Sequence, residues 1–419
     1  MIKKIIVFGL FIISSISVAQ ESSSSPYSYF GIGELKFRGT EEAKSMGGLA
    51  IVGDSINLNL TNPASYSHLR LTTFTVGGSS TFGNIQNDEL KEKVKRTSLD
   101  YIAVGIPMGK FGAAIGLMPY SSVGYRITGD SYIGNTNIPS TKRFSGNGSI
   151  NRVFVGTAYN FSKNLSFGLN IEYNFGNLES EVAETSNELQ LGTRELNTAQ
   201  VKGTTFNFGL LYNRMLNDKL KLYSSLHYIP ESKLSSTNTR NVAVLTYSVS
   251  SGAELISDSQ DVAVPNSKIV VPSKFALGFG VGQANKWMLG TEVSFIGTKK
   301  MTNVFANDVT NATYKNAQRY IIGGYYIPKF DSYSSYFSRV VYRAGFRYEK
   351  TGLNIENQDI NDYGMNFGFG LPVGISKIDL GFEFGKRGTT SNGLIQENYF
   401  NINIGLSLSD KWFRKTLID

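Results

Sequence analysis

Hydrophobic and polar residues alternate strictly along the last long segment of the chain. In YFNINIGLSLSDKWF, Phe400, Ile402, Ile404, Leu406 and Leu408 share one face, and Tyr399, Asn401, Asn403, Gly405, Ser407 and Ser409 share the other. A period of two is that of a β-strand with one apolar and one polar face. The pattern recurs upstream. Leu165, Phe167, Leu169, Ile171, Tyr173 and Phe175 oppose Ser166, Gly168, Asn170, Glu172 and Asn174; Met365, Phe367, Phe369, Leu371 and Val373 oppose Asn366, Gly368, Gly370 and Pro372. Fourteen strand-like segments follow Leu71, at approximately 71–82, 97–107, 110–126, 147–160, 163–178, 200–213, 219–231, 268–283, 286–300, 314–327, 337–350, 362–374, 377–387 and 396–411.

The connections alternate too. Met108-Gly109, Phe161-Ser162, Arg214 to Asp218, Ala284-Asn285 and Ile375-Ser376 are short, with Pro328 to Tyr336 a longer member of the same set. The others, about 83–96, 127–146, 179–199, 232–267, 301–313, 351–361 and 388–395, are long. Short periplasmic turns, long extracellular loops and an even strand number predict a fourteen-stranded antiparallel transmembrane β-barrel over residues 71–413, with a tail at 414–419.

Composition agrees with that reading. Gly (44), Tyr (23) and Phe (27) are abundant, and no run after the N-terminus is long and apolar enough for a transmembrane helix. The start, MIKKIIVFGLFIISSISVAQ, has Lys3 and Lys4, an apolar run from Ile5 to Ile13, and small residues at Ser17 and Ala19, which predicts a signal peptide over residues 1–19. With no cysteine, no disulfide and no lipid-anchored thioether are expected. The net charge of +8 is scattered along the chain, so no nucleic-acid partner is read from it; a rim facing anionic lipid heads is the expectation.

A fourteen-stranded barrel is too wide for its own side chains to fill, and the many inward glycines are expected to widen it. Residues 20–70 are the candidate internal plug. Within them Thr40 to Met46 predicts a short helix capped by Thr40 and stopped by Gly47 and Gly48, and Asn62-Pro63 is a turn signal. In the third segment Pro119 cannot donate to a ladder, and a closed barrel offers no free edge to hide it. A bulge or gap is expected there.

Several of these stretches resemble the FadL-type outer-membrane transport proteins. AKSMGGLAIVGDSINLNLTNPASYS (Ala43 to Ser67), containing Asn62, Pro63 and Ala64, resembles the family's N-terminal hatch. GAAIGLMPYSSVGY (Gly112 to Tyr125) is similar to its third strand, PSKFALGFGVG and NKWMLGTEVSF to its eighth and ninth, and VYRAGFRYE to its eleventh. The GKRGTT, QENYF and SDKWF runs resemble members from Bacteroidota. The resemblance implies a hatch-plugged barrel in the outer membrane. It also implies passive uptake of a hydrophobic molecule, a long-chain fatty acid or aromatic hydrocarbon, with lateral release at a kink near Pro119. Uptake is the leading expectation; the alternative is a non-transporting relative, such as an attachment or channel-plugging subunit of the type 9 protein secretion translocon, whose partner is a larger outer-membrane complex. The two readings differ in the lumen: a transporter needs an apolar pocket, whereas an accessory subunit can be packed shut.

Candidate chemistry is sparse. His68 and His227 are the only histidines, so no metal site, cofactor or catalytic triad is expected. GFGVG at Gly278 to Gly282 sits inside an alternating strand with no helix after it, which makes it strand rather than nucleotide loop. Glu172, Glu292, Arg343, Arg347, Glu349, Asp379 and Glu383 fall on inward positions and are expected to pair in a lumenal charge network. Trp287, Trp412 and Phe413 suit a periplasmic aromatic girdle.

Overall fold

The computed structural model describes residues 23–247, 254–301, 305 and 312–411. The expected signal peptide (1–19), Trp412, Phe413 and the expected tail (414–419) lie outside the described residues. Fourteen wall strands follow one another in antiparallel pairs: β1 Thr72–Gln86, β2 Lys91–Met108, β3 Phe111–Tyr132, β4 Pro139–Asn160, β5 Leu165–Thr185, β6 Leu191–Met215, β7 Lys221–Ile229 continuing as Ser232–Tyr247, β8 Glu254–Val262 continuing as Ser267–Val271 and Lys274–Gln283, β9 Trp287–Ile296, β10 Ala312–Tyr314 continuing as Ala317–Tyr326, β11 Val341–Ile355, β12 Gln358–Val373, β13 Ser376–Gly388 and β14 Gln396–Asp410. β14 pairs with β1 from Gln396–Gln86 to Asp410–Thr72, which closes the barrel.

The alternation explains the wall. Ile171, Phe279, Leu289, Met365, Phe384 and Ile404 are all at least half exposed, as lipid-facing residues are, while their neighbours Asn170, Glu172, Asn366, Glu383 and Asn403 are buried inside. Each of the fourteen expected segments corresponds to one strand. The strands are longer than expected, however. The stretches 83–96, 127–146, 179–199 and 232–267 are largely paired strand, and the connections shrink to 87–90, 133–138 and 186–190. Above the membrane both faces of a hairpin are wet, so the ladder continues where the hydrophobic alternation that reveals it has stopped.

Residues 23–71 precede the wall and lie against its inward face. Their one helix, α1 (Glu41–Lys44), follows Thr40 and ends at Gly47 and Gly48, both at positive φ (74° and 100°). The inward glycines, expected to widen the lumen, do something else. A β-carbon on Gly168 would collide with the Pro63 carbonyl and the Ala64 amide, and one on Gly112 with the Tyr66 carbonyl. At these two positions, and at Gly323 and Gly345 against Met46, the plug's backbone touches the wall.

Candidate functional site

The Asn62-Pro63-Ala64 step is a clip between plug and wall. Pro63 opens a 3₁₀ turn (Pro63–His68), where its missing N–H costs nothing. The Asn62 side-chain oxygen accepts from the Ala64 amide at 3.1 Å, and its Nδ2 donates to the carbonyls of Leu210 (β6, 3.3 Å) and Leu226 (β7, 3.2 Å). Asn207 of β6 donates to the Thr61 carbonyl at 3.1 Å. Asn62 and Ala64 are fully buried, so each of these polar groups depends on the others.

Charged side chains tie the rest together. Arg38 of the plug reaches Glu172 of β5 at 2.5 Å, and Arg152 of β4 reaches the same carboxylate at 3.1 Å. Glu42 of the plug meets Lys377 of β13 (2.7 Å) and Arg343 of β11 (3.5 Å), while Arg343 also holds Asp379 at 2.8 Å. Glu34 of the plug meets Arg96 of β2 (2.8 Å) and Arg387 of β13 (3.1 Å). Arg347 bridges Glu383 (3.0 Å), Asp362 (3.4 Å) and Glu349 (3.3 Å), and donates to the Tyr399 hydroxyl at 2.9 Å. Glu292 is buried beside Ser294. The paired ions are tolerable in the interior because each faces an opposite charge; Glu292, expected in the network, has no ion pair among the described residues and accepts a long hydrogen bond from Ser294 at 3.5 Å.

The expected lumen residues thus face inward, and Glu172, Arg343, Arg347, Asp379 and Glu383 join the plug-facing clusters. Asp362, Arg387, Glu397 and Arg96 were missed. They stand near the ends of the alternating segments or above them, where facing cannot be read from pattern. Glu34, Arg38 and Glu42 were missed because an irregular plug carries no period at all.

The wall is incomplete beside Pro119. The β2–β3 ladder runs from Met108–Phe111 only to Ile102–Leu117, although both strands continue well beyond it. Pro119 lies just past that point. Between Pro119 and Ser121 the β3–β4 register shifts by a bulge. The plug covers the exposed edge of β3: Glu34 and Leu35 pair with Ser122 and Ser121, the Lys36 amide donates to the Tyr120 carbonyl (2.9 Å), and the Ser28 hydroxyl accepts from the Gly124 amide (3.0 Å) and donates to the Gly124 carbonyl (3.1 Å). Leu35, a plug residue at this seam, is 38% exposed and lines the cavity behind it.

Behind the seam is a cavity of about 250 Å³. Ionic groups line much of it, among them Glu34, Lys36, Arg96, Asp362 and Arg387. The apolar part of the lumen is filled from within. Ile32 of the plug, 1% exposed, packs among Val123, Ile150, Leu178, Leu234 and Val271.

The structure is similar to three solved outer-membrane channels. The CymD monoaromatic hydrocarbon channel shares 13% identity over 89% of this chain and 98% of that one (TM-score 0.54). The toluene transporter TodX of P. putida shares 14% over 91% and 99% (TM-score 0.56), and a Pseudomonas aeruginosa FadL homologue 12% over 92% and 100% (TM-score 0.54). At such identities the likeness is one of fold: this is a closed β-barrel of the FadL-like fold. No curated protein matches it in sequence. The BamG family model, by contrast, matches residues 1–419, and the chain belongs to the BamG family.

Proposed function

We propose that this barrel is a sealed, non-transporting accessory subunit of a larger outer-membrane machine that inserts or exports proteins. The observation that carries the reading is the lumen. Ligand pockets for small apolar molecules are mostly apolar and about 300–1,000 Å³. Here the cavity is smaller, ion pairs share its lining with apolar side chains such as Phe37 and Ile360, and the neighbouring apolar part of the lumen is filled by Ile32. A hydrocarbon crossing this space would strip solvation from Arg387, Glu34 and Asp362 without replacing it. A shut barrel can still present its outer wall and loops to a neighbour. The partner would be a larger outer-membrane protein complex, such as the type 9 translocon, and the family model that matches this chain is BamG rather than that of the hydrocarbon channels it resembles in fold.

Passive uptake with lateral release is the second reading. It is favoured by the break in the β2–β3 ladder beside Pro119, and by the names of the hydrocarbon channels that share the fold. One pair of measurements separates the two. The protein is extracted gently from its own outer membrane and weighed by native mass spectrometry, and the purified barrel is reconstituted in vesicles with labelled toluene or oleate. A complex with a larger barrel and no uptake above empty vesicles is expected. Saturable uptake by a lone, adduct-bearing barrel would replace this reading with the second.

A further inference from the structure

The wall has a second unpaired edge, on the extracellular side. β9 ends at Ile296, opposite Lys274, while β8 continues upward for another two segments. The uppermost, Glu254–Val262, pairs with Arg240–Tyr247 of β7 along one side. Among the described residues no strand pairs with its other side. All nine of its residues are exposed, including Leu255 and Ile256, each 53%. A strand edge is a row of free N–H and C=O groups, and proteins that must not use one usually guard it with lysine or proline. This strand, ELISDSQDV, has neither; a bulge between Ile256 and Asp258 interrupts it, and beyond the bulge Asp258–Val262 stays in unbroken register with β7. Its charges are all of one sign: Glu254, Asp258 and Asp261. Glu254 is engaged by Arg143 at 2.7 Å, and Asp261 accepts only from Asn241 at 2.8 Å.

We infer that Glu254–Val262 is a docking edge that takes an extended, basic segment of a surface-exposed protein partner as an added strand. Backbone pairing would supply the affinity. Leu255, Ile256 and Val262 would take apolar side chains, and Asp258 and Asp261 would select lysine or arginine opposite them. The inference rests on the accessory-subunit reading, for which it supplies a contact. The edge lies above the membrane, away from the seam beside Pro119, so its occupation does not disturb the sealed lumen.

The test has two arms. In the first, the purified barrel in zwitterionic nanodiscs is titrated with a short labelled peptide of alternating lysine and valine, and with its glutamate–valine counterpart. The lysine peptide is expected to bind and to slow amide exchange within Glu254–Val262. The doubly substituted Asp258→Lys/Asp261→Lys barrel, which changes only exposed positions, is expected to lose about tenfold in affinity. Its heat-modifiable gel mobility reports that the barrel is folded. Equal binding of both peptides, or binding unchanged in the variant, overturns the proposal. In the second arm the variant is expressed in its own outer membrane. Loss of the native complex supports the edge. A complex that survives intact overturns the edge while leaving the accessory role standing. A lone barrel in the wild type that still binds the lysine peptide overturns the accessory role and leaves the edge. Exchange protection that appears only on pairing of two copies of this chain would also overturn the proposal, because the occupant would be the protein itself.

Discussion

Asn62 ties the plug to two wall strands at once. It satisfies a turn amide in the plug and two carbonyls on adjacent strands, all out of water. Asn62→Ala would orphan those groups and is expected to cost about 1–3 kcal/mol of plug docking. The readout is faster protease cleavage within residues 23–70 with unchanged barrel migration on gels. Glu41 sets a pH dependence. Burial pushes its carboxyl up to about 8, against the opposing pull of Lys44 and the Ser45 hydroxyl. A raised value means that the folded state prefers the neutral acid. That contribution is complete below about pH 4 and disappears as pH climbs through about 8. Plug docking should therefore weaken between about pH 5 and 9, and Glu41→Gln should flatten the profile of protease sensitivity against pH. The sequence made Asn62-Pro63 legible as a turn. It could not reveal that Asn62 also spans to β6 and β7, because that depends on how an aperiodic segment sits in the lumen.

At the scale of elements, the transmembrane strands were readable because lipid outside and plug inside impose opposite demands on successive residues. The extracellular extensions escaped because water on both faces imposes none. Pro119 was readable as a disruption, and the bulge beside it agrees. What no pattern disclosed is that a stretch of plug would lie along the free edge of β3. This pairing allows a direct test of whether the seam must open. Leu35 and Ser121 are register partners on adjacent antiparallel strands, so Leu35→Cys with Ser121→Cys can be joined by a disulfide. The locked barrel is expected to assemble with its partner and support growth as well as the reduced form does. A function restored only by reductant would show that the seam opens, and would favour lateral release. Gly168→Val probes the opposite contact. Its side chain would displace Pro63 and Ala64 from β5, and the expected result is a folded barrel that admits a large antibiotic across the outer membrane.

For the molecule as a whole, plug and barrel form one electrostatic unit, and the cost of any change depends on whether the lumen stays dry. Glu172 neutralises Arg38 from the plug and Arg152 from the wall, with its own side chain wholly buried. Glu172→Ala in the intact protein leaves two buried guanidiniums facing each other, and breaking such a pair by removing one partner typically costs about 3–5 kcal/mol. Deleting residues 23–70 removes Arg38 and floods the lumen. Arg152 is then solvated, and the same substitution should cost less than about 1 kcal/mol, as an exposed ion pair does. The four proteins, with and without the plug and with and without Glu172, form a double-mutant cycle whose coupling can be read from urea unfolding in micelles. A coupling of several kcal/mol is expected. Additive effects would mean that water already reaches Glu172 with the plug in place, and would remove the main physical objection to passage through this barrel.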